Sequence, residues 1–317
     1  MTNTANRYRI WRDGRFVNWE DATIHVVSHV VHYGSSVFEG IRCYATPSGP
    51  AIFRLDAHMR RFQDSCRIYR MPLRYSAEEM MQAAVDTVAE NSLPHCYLRP
   101  VAMRTGEDMT VHAGQTPIEV FIIARTWGTY LGADALTDGV DVAVSTWRRP
   151  APGTNPSLAK AGGNYLTSSL TKMEAKMDGY AEGIMLDTLG YVSEGSGENL
   201  FLVRDGRLYA PTVGSGILHG VTRDSVIQIA RDMGIEIVEA NIPREMLYIS
   251  DELFFTGTAA EITPIRSVDR IEIGTGAPGD VTLAIQKEFM GLATGKLTDR
   301  YNWRTEVPSA VPAGTGV

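Results

Sequence analysis

Apolar positions along the chain change their period several times, and each change predicts an element. Within 8–17 they flank Asp13-Gly14, a dipeptide that suits a tight hairpin because both residues tolerate positive φ. The pattern recurs at 200–209 around Asp205-Gly206. From Asp56, read as an N-cap, Met59, Phe62, Cys66 and Tyr69 follow at helical spacing. Ser76 and Glu79 have the form of a capping box, which opens a second helix with Met81, Ala84, Val85 and Val88 on one side. The stretches 97–103 and 118–124 read as buried strands, and 127–138, rich in glycine and small residues, as a connector. Beyond it come a strand at 140–147, a polar loop at 148–157, a helix at 164–177 and a strand at 183–187. A helix at 222–233, with Val226, Ile229, Ala230 and Met233 inward, precedes a short strand at 253–256 and a last helix at 280–292. Strands and helices do not alternate regularly, which predicts two α+β domains over one doubly wound sheet. The expected division is a small N-terminal domain over 1–126, the connector over 127–138 and a larger domain over 139–317, with 304–317 a frayed tail.

Composition narrows the function classes. The chain has 317 residues, 44% apolar and 21% charged, the profile of a soluble globular protein. A formal charge of −7 gives no basic excess for nucleic acid. Cys43, Cys66 and Cys96 form no CxxC pair, so neither a metal site nor a disulfide framework is expected, and reduced thiols point to the cytoplasm. No apolar signal opens the sequence, and no stretch nears the roughly 20 apolar residues of a membrane helix. The nearest approach to a dinucleotide motif, 214–219, lacks its third glycine, and no phosphate-loop motif occurs.

Four segments carry candidate chemistry. In Lys160-Ala161-Gly162-Gly163-Asn164-Tyr165 a lysine sits among small residues, where partial desolvation would make its amine nucleophilic. Alone, it reads as a surface lysine. In Glu194-Gly195-Ser196-Gly197-Glu198-Asn199-Leu200-Phe201 a glycine-framed carboxylate suits a pyridine nitrogen, which it would keep protonated. Glu198 reads as structural or solvated. Gly220-Val221-Thr222-Arg223-Asp224 opens a helix and offers amides to an anion, although Thr222 read alone is an N-cap. The turn Thr256-Gly257-Thr258-Ala259-Ala260-Glu261 offers hydroxyls and amides, and His58 and Arg61 add a cationic clamp one helical turn apart.

Taken in order, these segments resemble the class IV, or fold-type IV, pyridoxal-phosphate aminotransferases, over about 8–303. The resemblance implies the α+β, two-domain, D-amino-acid-aminotransferase-like fold, with pyridoxal 5′-phosphate between the domains and active sites completed across a homodimer. It implies that Lys160 forms the Schiff base, Tyr165 lies by the phenolic oxygen and Glu194 pairs with the ring nitrogen. Arg61, Thr222, Thr258 and the Val221 amide would hold the phosphate.

Within that class, His32-Tyr33-Gly34-Ser35-Ser36-Val37-Phe38-Glu39-Gly40-Ile41-Arg42 and Tyr97-Leu98-Arg99-Pro100 are similar to the branched-chain amino-acid aminotransferases. The implied reaction transfers the amino group of Leu, Ile or Val to 2-oxoglutarate. Its alternative is a class IV enzyme for D-amino acids or R-configured amines. The implied substrate residues are Tyr33, Phe38, Gly40, Tyr97, Arg99, Trp127, Tyr130 and Ala259. Tyr33 and Phe38 would form the apolar wall. Arg99, with Tyr33 and Tyr130, would meet glutamate's second carboxylate, and Tyr97 with the 258–259 amides the α-carboxylate. Met109-Thr110-Val111 resembles the family's apolar loop, and Trp127 and Tyr130 its lid. One departure is the charged stretch Arg104-Thr105-Gly106-Glu107-Asp108, which would face solvent or widen the substrate range. Assembly beyond a dimer is left open.

Overall fold

The computed structural model describes residues 8–107 and 109–308, which form two compact units. The first holds the described residues up to Trp127 together with Ala159–Gly163 and 291–308. Its elements run β1 (Arg9–Arg12), β2 (Arg15–Asn18), α1 (His29–Tyr33), β3 (Ser36–Phe38), β4 (Ile41–Thr46), β5 (Gly49–Phe53), α2 (Leu55–Ile68), α3 (Ala77–Glu90), β6 (Cys96–Arg104) and β7 (Ile118–Arg125). The hairpin β1–β2 turns on Asp13 and Gly14, both at positive φ (44° and 88°), as its dipeptide requires. The eight-stranded sheet runs from the strand Arg304–Glu306 through β5-β4-β6-β7-β1-β2, with β3 beside β6. Leu55, Met59 and Phe62 of α2 and Met80, Ala84 and Val88 of α3 bury against Ile41, Ile52, Leu98 and Ile122 of the sheet.

The second unit holds Gly128–Leu158 and Asn164–Met290. It comprises α4 (Ala135–Asp138), β8 (Val140–Arg148), α5 (Tyr165–Met177), β9 (Glu182–Leu186), β10 (Val192–Gly195), β11 (Asn199–Arg204), β12 (Arg207–Pro211), α6 (Val221–Asp232), β13 (Ile237–Ala240), β14 (Glu252–Gly257), β15 (Glu261–Val268), β16 (Ile271–Glu272) and all but the last three residues of α7 (Asp280–Ala293). Its nine-stranded sheet runs β10-β9-β8-β15-β14-β11-β12-β13, with β16 on β15. Parallel pairs join β8 to β9, β8 to β15 and β12 to β13, and the other pairs are antiparallel. Asp205 and Gly206 again turn a hairpin at positive φ (51° and 72°). The α+β reading of the sequence therefore holds.

Several expectations are corrected. Asp56 is not the N-cap of α2: Arg54 is, in a left-handed conformation without a side-chain cap, and Asp56 lies in the first turn. Met80, not Met81, is the buried methionine of α3, and Met233 caps α6 in an exposed position. The chain does not divide once. Residues 159–163 belong to the first unit, where Val37 and Ala161 form a β-bridge, and so do residues 304–308 of the expected tail. Arg304–Glu306 is not frayed but is a strand on the outer edge of β5. Trp303 packs edge-on against Phe53, and the Arg54 guanidinium lies 4.7 Å from its ring. Residues 309–317 of that tail lie outside the described residues. No helix among the described residues is long and apolar enough to cross a membrane, and no metal-binding group of side chains occurs among them.

Candidate active site

In the first unit, Lys160 is tied down by its backbone. Its N–H donates to Ser65 Oγ (3.0 Å) and its carbonyl accepts from Phe38 N–H (2.9 Å). The half-buried ammonium then lies 5.1 Å from the centre of the Phe38 ring. The Arg99 guanidinium lies over the same ring at 4.5 Å and over Tyr97 at 5.6 Å. Its buried Nε has no hydrogen-bond partner among the described residues. Tyr97 stacks on Trp127 with centroids 5.0 Å apart. Gly40 makes this possible, because a Cβ there would overlap the Tyr97 hydroxyl. Tyr33, at the end of α1, is more exposed, and its hydroxyl donates to the Met109 carbonyl. One strand, β6, therefore delivers both Tyr97 and Arg99, because alternate residues share a face.

Arg61 does not stand with His58 as a pair of cations. Both converge on Glu39, a fully buried residue with no signal of its own in the sequence. Arg61 donates through Nε and Nη2 at 2.7 and 2.8 Å, and His58 Nδ1 lies 2.7 Å from the same carboxylate. Burial alone would raise the Glu39 pKa, but the guanidinium, His58 and their hydrogen bonds hold it far below the ordinary range. Burial lowers the His58 pKa against the pull of Glu39, so at neutral pH His58 is a neutral donor. Arg61 is thus fixed in orientation with its charge balanced.

The second unit carries the other predicted residues. Glu194, on β10, is buried and meets Arg149 Nη2 (3.0 Å), Asn199 Nδ2 (2.9 Å) and the Leu218 amide (3.0 Å). Arg149 gave no signal in the sequence, because it lies in a polar loop with no motif around it. Asn199 was visible within the glycine-framed string. Val221 and Thr222 are the first residues of α6, whose N-cap is Gly220. Thr222 is therefore not the cap, and Gly220 offers no side-chain acceptor to the first-turn amides. Thr258 and Ala259 lie in the turn between β14 and β15, beside Thr256, whose buried hydroxyl has no partner among the described residues. Tyr165 opens α5, and Tyr130 is partly exposed. Of the two readings of Glu198, structural or solvated, burial excludes the solvated one, because the residue is 3% exposed.

The charged stretch at 104–107 is explained without a ligand. Arg104 is buried and staples neighbouring loops through the Ala113 and Arg70 carbonyls (2.5 and 2.8 Å), and burial lowers its pKa. Glu107 faces solvent near His25. Asp108 lies outside the described residues. The three thiols are buried, and burial pushes Cys66 up to about 12.

These residues fit pyridoxal 5′-phosphate. A buried carboxylate braced by a guanidinium suits a protonated ring nitrogen, and a helix start without a side-chain cap suits a phosphate. The amino-transferase class IV family model matches residues 36–268. The branched-chain-amino-acid aminotransferase of Escherichia coli strain K12 is 51% identical over 309 residues, covering 97% of this chain and 99% of that protein. The crystal structure of an E. coli branched-chain amino acid aminotransferase superposes with a TM-score of 0.92 at 50% identity, covering 95% of this chain and 99% of that one. The branched-chain amino acid aminotransferase from Thermobaculum terrenum, solved in its PLP-form, gives a TM-score of 0.89 at 36% identity, covering 96% of this chain and 99% of that one. With its fold, its buried carboxylate and a family match over most of its length, this chain belongs to the class IV aminotransferases.

Proposed function

We propose that the chain is a branched-chain-amino-acid aminotransferase that uses pyridoxal 5′-phosphate to move the amino group of leucine, isoleucine or valine to 2-oxoglutarate. One observation carries the substrate reading. The Phe38 ring lies close to both the Lys160 amine and the Arg99 guanidinium, so an apolar wall and a carboxylate partner accompany the reacting nitrogen. No observation favours the reading toward D-amino acids or amines.

When bound, the cofactor supplies a carbonyl that condenses with amines and a ring that disperses the charge left at the substrate α-carbon. The residues do the rest. Lys160 would take the substrate's α-proton on Nζ and return it. Glu194, braced by Arg149, keeps the proton on the ring nitrogen. Tyr165 donates to the ring oxygen. Arg61, the Val221 amide, Thr222 and Thr258 hold the phosphate, Arg61 being aimed by Glu39. Tyr97 and the Ala259 amide orient the α-carboxylate, and Arg99 with Tyr33 and Tyr130 receives glutamate's second carboxylate bidentately. Gly40 leaves room for Tyr97. Trp127 and Tyr130 exclude water. Two copies form a homodimer in the cytoplasm, a setting consistent with three reduced cysteines.

The test is the visible spectrum of the purified protein before and after L-leucine, D-alanine and an R-configured arylamine. A band near the visible edge that L-leucine alone discharges is expected. A band that only the D-amino acid or the arylamine discharges would refute the substrate and keep the cofactor.

A further inference from the structure

Three carboxyls lie together in the second unit around the bend at 194–198, and two cations meet them. Glu194 has Arg149 at 3.0 Å, and Glu182 has Lys172 at 2.6 Å. Glu198 has no cation of its own among the described residues. Its Oε2 accepts from the Gly197 amide (3.0 Å), and its buried Oε1 has no partner among them. The packing is tight: a Cβ at Gly195 would stand 2.6 Å from Oε2 and 2.9 Å from the Phe255 ring, and one at Gly257 3.6 Å from Glu198 Cγ. An uncompensated buried anion costs several kcal/mol, so such a carboxyl is far easier to bury with its proton. Titration runs the same way: burial, then Glu182 and more weakly Glu194, raise the Glu198 pKa against the Gly197 amide and Lys172.

The charge of Glu198 would be felt at Tyr130. That hydroxyl lies 3.9 Å from a Cβ built at Gly197, and Ser196 is its hydrogen-bond partner. The Lys172 ammonium lies 5.0 Å from the Tyr130 ring, and Tyr165 is also within electrostatic range. Burial first, then Glu198 and Glu182, raise the Tyr130 phenol.

We propose that Glu198 is a specificity-determining residue that acts through Tyr130: as a neutral acid it lets the second carboxylate of glutamate or 2-oxoglutarate settle there, and once ionised it disfavours these dicarboxylates relative to branched-chain substrates. This rests on the assignment of Tyr130 to the second carboxylate. The measurement is kcat/KM for the L-glutamate and L-leucine half-reactions from about pH 6 to about pH 10, in the wild type and in Glu198→Gln. In the wild type the glutamate-to-leucine ratio is expected to hold near neutrality and to fall about tenfold as Glu198 ionises, the scale of one poorly screened charge. Glu198→Gln, which cannot ionise, is expected to keep the ratio flat. An infrared difference between the two proteins at neutral pH is expected to show a protonated-carboxyl C=O stretch in the wild type only.

A wild-type ratio that ignores pH, a fall that persists in Glu198→Gln, or the absence of that band would overturn the proposal. A persisting fall would assign the titration to Tyr130 or Lys172. If Glu198→Gln does not fold, the wild type still decides, because its carboxyl band must fade with rising pH in step with the ratio. A protein that reacts with neither amino acid would refute the aminotransferase reading instead, and the infrared band would still report the state of Glu198.

Discussion

At Glu39 a single carboxylate collects the Arg61 fork, the His58 imidazole and the Gly40 amide. Removing one partner of a buried ion pair leaves the other charge uncompensated, at about 3–5 kcal/mol. Glu39→Gln is therefore expected to lower the melting temperature and to weaken cofactor binding, read from thermal melts and from a pyridoxal-phosphate titration. Melts and titration curves that superpose on those of the wild type would show that Arg61 keeps its place without Glu39. Arg99 is the opposite case, held by ring faces and short of one hydrogen bond. Arg99→Ala is expected to slow the glutamate half-reaction on the order of a hundredfold while sparing leucine's far more. Equal losses for both would mean that Arg99 does not distinguish them.

Among the elements, α3 shows the closest agreement between local sequence and structure. Ser76 accepts from the Glu79 amide at 3.2 Å while Glu79 accepts from the Ser76 amide at 2.7 Å. Ser76→Ala should destabilise the fold by about 1 kcal/mol, measurable by denaturant titration, because an orphan donor loses its partner. Elements with such local signals were legible: both hairpins, α3, α5, α6 and the long strands β6 to β8. Those fixed by distant partners were not. Arg304–Glu306 carries no strand pattern of its own and is ordered by β5, some 250 residues earlier in the chain. Of the candidate residues, the glycine-framed Glu194 and the helix start at Val221 stand out by themselves. Arg149 and Glu39 become meaningful only when folding brings them to Glu194 and Arg61.

On the scale of the whole molecule, Glu39 and Glu198 lean in opposite directions. The folded state depresses the Glu39 pKa, so its contribution is present above the ordinary value of 4.5 and is lost as pH falls toward the folded value. His58, held neutral, adds to the loss on acidification. Glu198, with a raised pKa, contributes below 4.5, and that contribution is lost as pH rises toward its folded value. Thermal melts across pH should therefore show Glu198→Gln gaining on the wild type as pH rises, and a constant difference would contradict a raised Glu198. The strand at Arg304–Glu306 also sets an order of events during synthesis. Its partner β5 is made early, yet that edge stays open until about 250 further residues have been translated, which at ribosomal speed takes some tens of seconds. During that interval the first sheet exposes a row of unpaired amides and carbonyls from Ala51 to Phe53 to any neighbouring nascent chain. The growing polypeptide is thus most open to strand exchange before Arg304–Glu306 emerge, and those three residues act as a latch on a strand made long before them.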